Sequence, residues 1–225
     1  MNIVLVGINP KLVQAWQNIC GGLENVTVQY GSIFDVSCDA IVSPANSFGF
    51  MDGGLDYSIS RFFGWHIQKR LQELIRTKHY GELLVGTAEI VETDHPQIPY
   101  VISAPTMRVP MILCDSVNPY LATRAVLLLI KHGKLENGTA IKQVVRTVAF
   151  PGMGTGVGRV PPEICARQMH TAIEEVVFEK YSLLCYYRIQ TLEMRGQRDA
   201  YTFLRFTAKN CSCIPSGRNI NPGSS

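Results

Sequence analysis

The sequence predicts an α/β domain of three layers, with a mixed, mostly parallel sheet held between helices. Three observations predict it. Short apolar runs of strand length alternate along the chain with longer stretches of helical period. Two of those runs spill into glycine-rich loops, at 49–54 and 152–158, and each loop leads straight into a helix. The composition, 46% hydrophobic and 17% charged over 225 residues, suits a chain that buries a proper core.

The elements follow in order. Residues 3–8 form a β-branched run that reads as a buried strand, and Asn9-Pro10 is a helix-start signal with Asn as cap and Pro in the first turn. Leu12, Val13, Trp16 and Ile19 then recur at helical spacing until Gly21-Gly22. A second strand is expected over Val26–Tyr30, a turn-rich link over 32–39, and a central strand over Ala40–Ser43 leading to Asn46. Beyond Asp56, the positions Ile59, Phe62, Phe63, Ile67, Leu71, Leu74 and Ile75 make an amphipathic helix, bent or split at Gly64. Its aromatic stripe Phe62, Phe63, Trp65 reads mostly as core. Strands are expected over 83–92 and 100–104, separated by a turn containing His95, Pro96 and Pro99. Asn118-Pro119 opens a helix with Leu121, Ala125, Leu128 and Leu129 inward. A fully buried strand is expected over 144–150, and Pro162 starts a helix whose apolar face is Met169, Ala172, Ile173, Val176 and Val177. From Cys185 the pattern decays. Residues 1–184 are therefore read as the domain and 185–225 as a poorly ordered basic extension.

Several function classes are disfavoured. No apolar run approaches the ~20 residues a membrane helix needs. MNIVLVGINPKL lacks the features of a signal peptide and reads as a first strand, so a cytoplasmic setting is expected, with a nuclear one also compatible. The seven cysteines are scattered, without a CxxC pair, and His66, His79, His95, His132 and His170 show no ligand spacing; neither a metal nor a cofactor is expected. The net charge of +3 resides in residues 185–225, which hold 6 basic and 2 acidic side chains. The body thus lacks a nucleic-acid footprint, and the tail alone could provide one. A monomer is expected.

The chemistry-bearing residues lie in the two loops. Glycine lets a backbone approach a ligand closely, and a loop entering a helix presents unpaired N–H groups to anions. The second loop, Gly152 to Gly158, loosely echoes a dinucleotide fingerprint, but it comes late in the chain, and the first strand has no such motif. No Gly-Lys-Ser/Thr occurs, which disfavours a P-loop. Asp56 has two readings, a helix cap or a site carboxylate; Asn46 could equally stabilise its own turn. Thr106, Met107, Arg108 and Val109, after a strand end, are placed near the pocket by topology alone. Arg159 is either a phosphate contact or a solvated side chain.

Taken together, AIVSPAN and GGLD, followed much later by GTGVGRVP, resemble the macrodomain family, modules that bind ADP-ribose. The resemblance covers residues 1 to about 184 in element order. It implies a macrodomain fold and ADP-ribose, free or attached to protein, as partner. It implies that Asn46 contacts the distal ribose and that Asp56 positions or activates water, aided by a pKa raised through repulsion from phosphate. Gly53, Gly54 and Leu55 would meet the diphosphate from one side. Gly154, Thr155, Gly156 and Val157, in the loop bounded by Gly152 and Gly158, would meet it from the other. Three departures stand out. Ser32 occupies the place of the family aspartate that reads the base, between Gly31 and Ile33, with Asp35 as a possible substitute. Gly158 stands where many hydrolases have an aromatic residue. Phe50, Met51 and Asp52 replace glycines in the first loop. The implied activity is hydrolysis of an ADP-ribose linkage, an ester on protein or a phosphate on the distal ribose; the alternatives are a non-catalytic ADP-ribose reader and an unrelated Rossmann-like enzyme.

Overall fold

The computed structural model describes residues 1–180, so the expected extension at 185–225 lies outside the described residues. β1 (Asn2–Gly7), α1 (Pro10–Cys20), β2 (Val26–Tyr30), β3 (Ala40–Ser43), α2 (Gly54–Phe63), α3 (His66–Lys78) and β4 (Glu89–Glu92) make the first half. β5 (Tyr100–Ser103), α4 (Asn118–His132), α5 (Ile141–Val144), β6 (Thr147–Phe150) and α6 (Pro162–Val176) follow. The strands form one sheet in the order β2-β1-β6-β3-β5-β4, parallel throughout except for β4, which runs antiparallel to β5. The expected mixed, mostly parallel sheet is the one observed.

Strand parity sorts the core into two layers. Ala40 and Val42 of β3 face one side, packed with Trp16 of α1, Val126 of α4 and Met169 of α6. Ile41 faces the other, with Ile59 of α2 and Ile67 and Leu71 of α3. Both faces of a parallel sheet are thereby covered, which is why its strands read as continuous apolar runs. Fully buried side chains such as Phe150 each contribute about 2–3 kcal/mol of burial. The Asn9 side chain caps α1 as expected, accepting from Lys11 N at 3.0 Å.

Four expectations need correction. The strand expected over 83–92 shrinks to Glu89–Glu92, because Gly86 turns the chain at φ +93° and Leu83 donates instead to Ser47 O. The run 144–150 divides into α5 and β6 at Arg146, where Asp39 accepts from the backbone N–H groups of Arg146 and Thr147. Of the aromatic stripe only Phe63 is buried; Phe62 and Trp65 are 44% and 45% exposed, Phe62 stacking on Phe34 at 4.5 Å. The inner face of α4 is Ala122, Ala125, Val126 and Ile130, with Leu121, Leu128 and Leu129 only partly covered. The helix after Asp56 is split at Gly64, where φ is +106° and a Cβ would come within 2.8 Å of His66 Nδ1.

Asp39 ties the entry of β3 to the entry of β6 with two 2.8 Å bonds, and hydrogen bonds to a charged acceptor are the stronger kind. Asp39→Ala is expected to cost about 2 kcal/mol, read as a melting temperature lower by about 4–8 °C. An unchanged melting temperature would show that the junction does not depend on this side chain.

Candidate functional site

Because β3 and β6 are adjacent and parallel, the loops that follow them leave the same edge of the sheet. There they enclose a cavity of about 550 Å³ that runs along the carboxyl ends of the strands. Asn46, Gly53, Gly54, Leu55 and Asp56 line it from the first loop; Gly152, Gly154, Thr155, Gly156, Val157 and Gly158 line it from the second. Ser32 and Ile33 line the β2 end, and Thr106 and Met107 the β5 end. Asp35 is exposed and is not among the lining residues, so the geometry does not bring it to the base end. Arg108 and Val109 do not line the cavity either. Arg108 is bonded to Glu82 at 2.6 and 3.1 Å and lies over the Phe48 ring.

Both loops owe their shape to local chemistry. In the first, Asn46 Oδ1 accepts from Phe48 N (3.1 Å) and Phe50 N (3.3 Å), while its Nδ2 donates to Phe50 O (2.7 Å). Asn46 therefore does organise its own turn, with one amide hydrogen left over. Met51 is fully buried, its N–H held by Gln68 Oε1 (2.7 Å) and its carbonyl by Ser60 Oγ (2.9 Å). Its departure from glycine thus anchors the loop to α2 and α3. In the second loop, Gly154 sits at φ +72°. A Cβ at Gly158 would come 2.5 Å from Gly154 O and 2.8 Å from Leu113 Cδ1. Gly158 O also accepts from Leu113 N at 2.7 Å, so no aromatic side chain fits this position as the loop stands.

Asp56 is the third residue of α2; the cap is Gly53, which offers no side chain to the first-turn N–H groups. The cap reading of Asp56 is thus set aside, and the open N-terminus of α2 faces the cavity through Gly53, Gly54 and Leu55. The Asp56 side chain is 8% exposed, and the Ser43 hydroxyl donates to its Oδ1. Burial pushes its carboxyl up to about 6; the Ser43 hydrogen bond opposes the rise and the nearby Asp52 adds to it. Burial, not phosphate repulsion, is therefore the main source of the rise in the protein itself. Among the described residues, Asp52 and Asp56 are the only ionisable side chains lining the cavity, and no cationic one does. An anion here would be held by backbone N–H groups and a helix terminus, a recognised mode of phosphate binding.

Among the described residues, the buried thiols and the metal-ligating side chains offer no second chemistry. Burial pushes the Cys165 and Cys20 thiols up to about 12 and Cys38 to about 11, the reverse of an activated nucleophile. Among the described residues, no group of three or more His, Cys, Asp or Glu side chains could hold a metal. No helix among them is long and apolar enough to cross a membrane. Arg159 is exposed at φ +53° and does not line the cavity. The sequence reading missed Phe34 and Pro110 in the wall and, above all, Ser43, which bonds Asp56 from outside it. The alternation of side chains along β3, which puts Ser43 on the same face as Ile41, could have flagged it.

An open, mostly parallel sheet with a cavity beyond its strand ends defines a ligand-binding α/β protein. The chain matches the Macro domain family over residues 42–169. It is 38% identical to an uncharacterized protein of Aquifex aeolicus over 68% of this chain and 81% of that one. It is 31% identical to O-acetyl-ADP-ribose deacetylase 1 of Pantoea vagans over 73% and 92% of the two chains. A variant of the Oceanobacillus iheyensis macrodomain with ADPR superposes with a TM-score of 0.55 at 19% identity, over 78% of this chain and 91% of that one. The chain belongs to the macro domain family.

The Asp56 carboxyl has a consequence for stability. Its folded value, about 6, lies above the ordinary 3.8. Its contribution to stability is therefore fully present below about pH 4 and is lost as the pH rises through about 6, about 3 kcal/mol in all. Asp56→Asn, which keeps the shape and an acceptor for Ser43, is expected to melt several degrees higher than the parent at pH 8, with little difference at pH 4. Equal melting curves at both pH values would contradict the burial of a charged carboxylate here.

Proposed function

We propose that this protein binds ADP-ribose along the cavity and hydrolyses an ester linkage on its distal ribose, releasing ADP-ribose. The observation that carries the reading is Asp56, a buried carboxylate with its carboxyl raised to about 6, in a cavity between two glycine loops. The relative named as a deacetylase of O-acetyl-ADP-ribose supports the choice of an ester, while a phosphate on the same ribose is an alternative leaving group.

The residues divide the work. Backbone N–H groups of Gly53 to Leu55 and of Gly154 to Val157 hold the diphosphate from both sides. The spare amide hydrogen of Asn46 orients the distal ribose. Ionised Asp56 takes a proton from water as the water oxygen attacks the acyl carbon. The acyl C–O bond then breaks, and the departing ribose oxygen takes the proton back. A general base works best with a pKa near the operating pH, and burial brings Asp56 toward that range.

A second reading, a reader that binds without turnover, is favoured by Gly158, whose surroundings exclude the aromatic ring expected of many hydrolases. It is favoured also by Ser32, which offers a hydroxyl in place of a carboxylate at the base end and already accepts from Phe34 N at 3.2 Å. One variant separates the two. Asp56→Ala is expected to keep ADP-ribose binding by calorimetry within a few-fold and to lower ester hydrolysis by about 10²–10⁴. Binding by the parent with no release of ADP-ribose from any ester substrate would establish the reader. In the enzyme reading, kcat/KM falls to about half its plateau near pH 6 as Asp56 takes up a proton, and continues to fall at lower pH.

A further inference from the structure

Ser43 is the last residue of β3, fully buried, and its hydroxyl donates to Oδ1 of Asp56. That bond joins the sheet to the first turn of α2, two elements that otherwise meet through apolar packing. Among the described residues no hydrogen bond is seen to Asp56 Oδ2, so one carboxylate oxygen is tied to the strand and the other is open to a ligand or water. On the next strand, Ser103 stands level with Ser43 on the same face; it is equally buried, yet its Oγ has no partner. Two serines thus share one buried environment, and only one of them touches the carboxylate.

We propose that Ser43 is a positioning residue for Asp56, holding the carboxylate ionised and fixing which of its oxygens is free to act on water. The inference rests on the reading of Asp56 as the group that takes the proton. Its physical basis is separate from that reading. A hydroxyl fixed on a strand can donate to a carboxylate but gains nothing comparable from the protonated acid, so it favours the charged form against burial. Asp52 in the first loop acts in the opposite sense. Among the described residues no other ionisable group lines the cavity, and Ser103 on β5 is neutral. Among the described residues, Ser43 is therefore the side chain seen to counter the cost of burying this charge.

The test follows the Asp56 carboxyl directly, by carbon-13 NMR titration of the whole chain with Asp56→Asn assigning the signal, alongside kcat and KM against pH. In the parent the midpoint is expected near 6. Ser43→Ala is expected to move it upward by about one pH unit or more, the size of shift that losing a bond to a charged acceptor produces. The acid limb of kcat/KM moves with it, so kcat/KM falls about fivefold at pH 6 and recovers most of that loss by pH 9. Ser43→Cys, a similar shape with a weak donor, is expected between the two, and it serves if the alanine variant does not fold. Ser103→Ala removes an equally buried hydroxyl and should leave the midpoint in place.

A midpoint unmoved in the Ser43 variants, or a kcat/KM lowered equally at every pH, would reduce Ser43 to a packing residue and overturn the inference. A midpoint moved equally by Ser103→Ala would overturn it too. Failure of the hydrolytic reading looks different. The parent would then release no ADP-ribose from any ester, while the carboxyl titration would still decide whether Ser43 holds Asp56.

Discussion

The hydrogen-bonded pairing of β3 with β6 is the constraint on which the site depends. Parallel strands end on the same edge of a sheet, so two loops far apart in the chain open side by side. β1 stands on the other side of β6 and β5 on the other side of β3, and the loops after both strands supply the flanks of the same cavity. If β3 were paired elsewhere, neither glycine loop would face the other, and each would be an ordinary strand-to-helix connection. The short length of these two strands, four residues each, leaves little else to hold them in register. That explains why Asp39 bridges their entries with a side chain.

Within that frame the cavity has an unusual charge balance. Among the described residues it is lined by two carboxylates and no cation, so these residues can hold an anion only through oriented backbone dipoles. Such dipoles are useful only when fixed, and both loops are fixed by groups facing away from the cavity. Met51, Gln68 and Ser60 pin the first loop from behind. Leu113 pins the second by its N–H and by the side chain that fills the space beside Gly154 and Gly158. Asp56 is the costly member of the arrangement, a buried charge with one side-chain donor. A group of that kind persists where function requires it and the surrounding packing supports it.

Much of this could be read from residues alone. The order of strands and helices, the capping Asn9, the break at Gly64 and the two glycine loops all follow from local preference and periodicity. Local pattern and structure part company where a tertiary contact overrides the pattern. The stretch 83–88 has strand-like composition, but Leu83 bonds to the first loop and Gly86 turns away. Val144 looks like strand, but Asp39 bends the chain two residues later. Phe62 has the spacing of a core residue, yet it lies at the surface against Phe34, a residue distant in sequence.

The site divides in the same way. Residue types and their spacing determined, without any coordinates, that two glycine loops lie at helix starts, that Asn46 follows a strand, and that Asp56 begins a helix. Those are properties of neighbours in the chain, governed by backbone sterics and by N–H groups left open at helix ends. Only the tertiary structure decided that Asp56 is buried and not a cap, that Ser43 is its donor, that Asp35 points elsewhere, and that Gly158 has no room for a ring. Burial and hydrogen-bond partnership depend on which distant segments come to rest together, and a carboxyl's affinity for its proton depends on both.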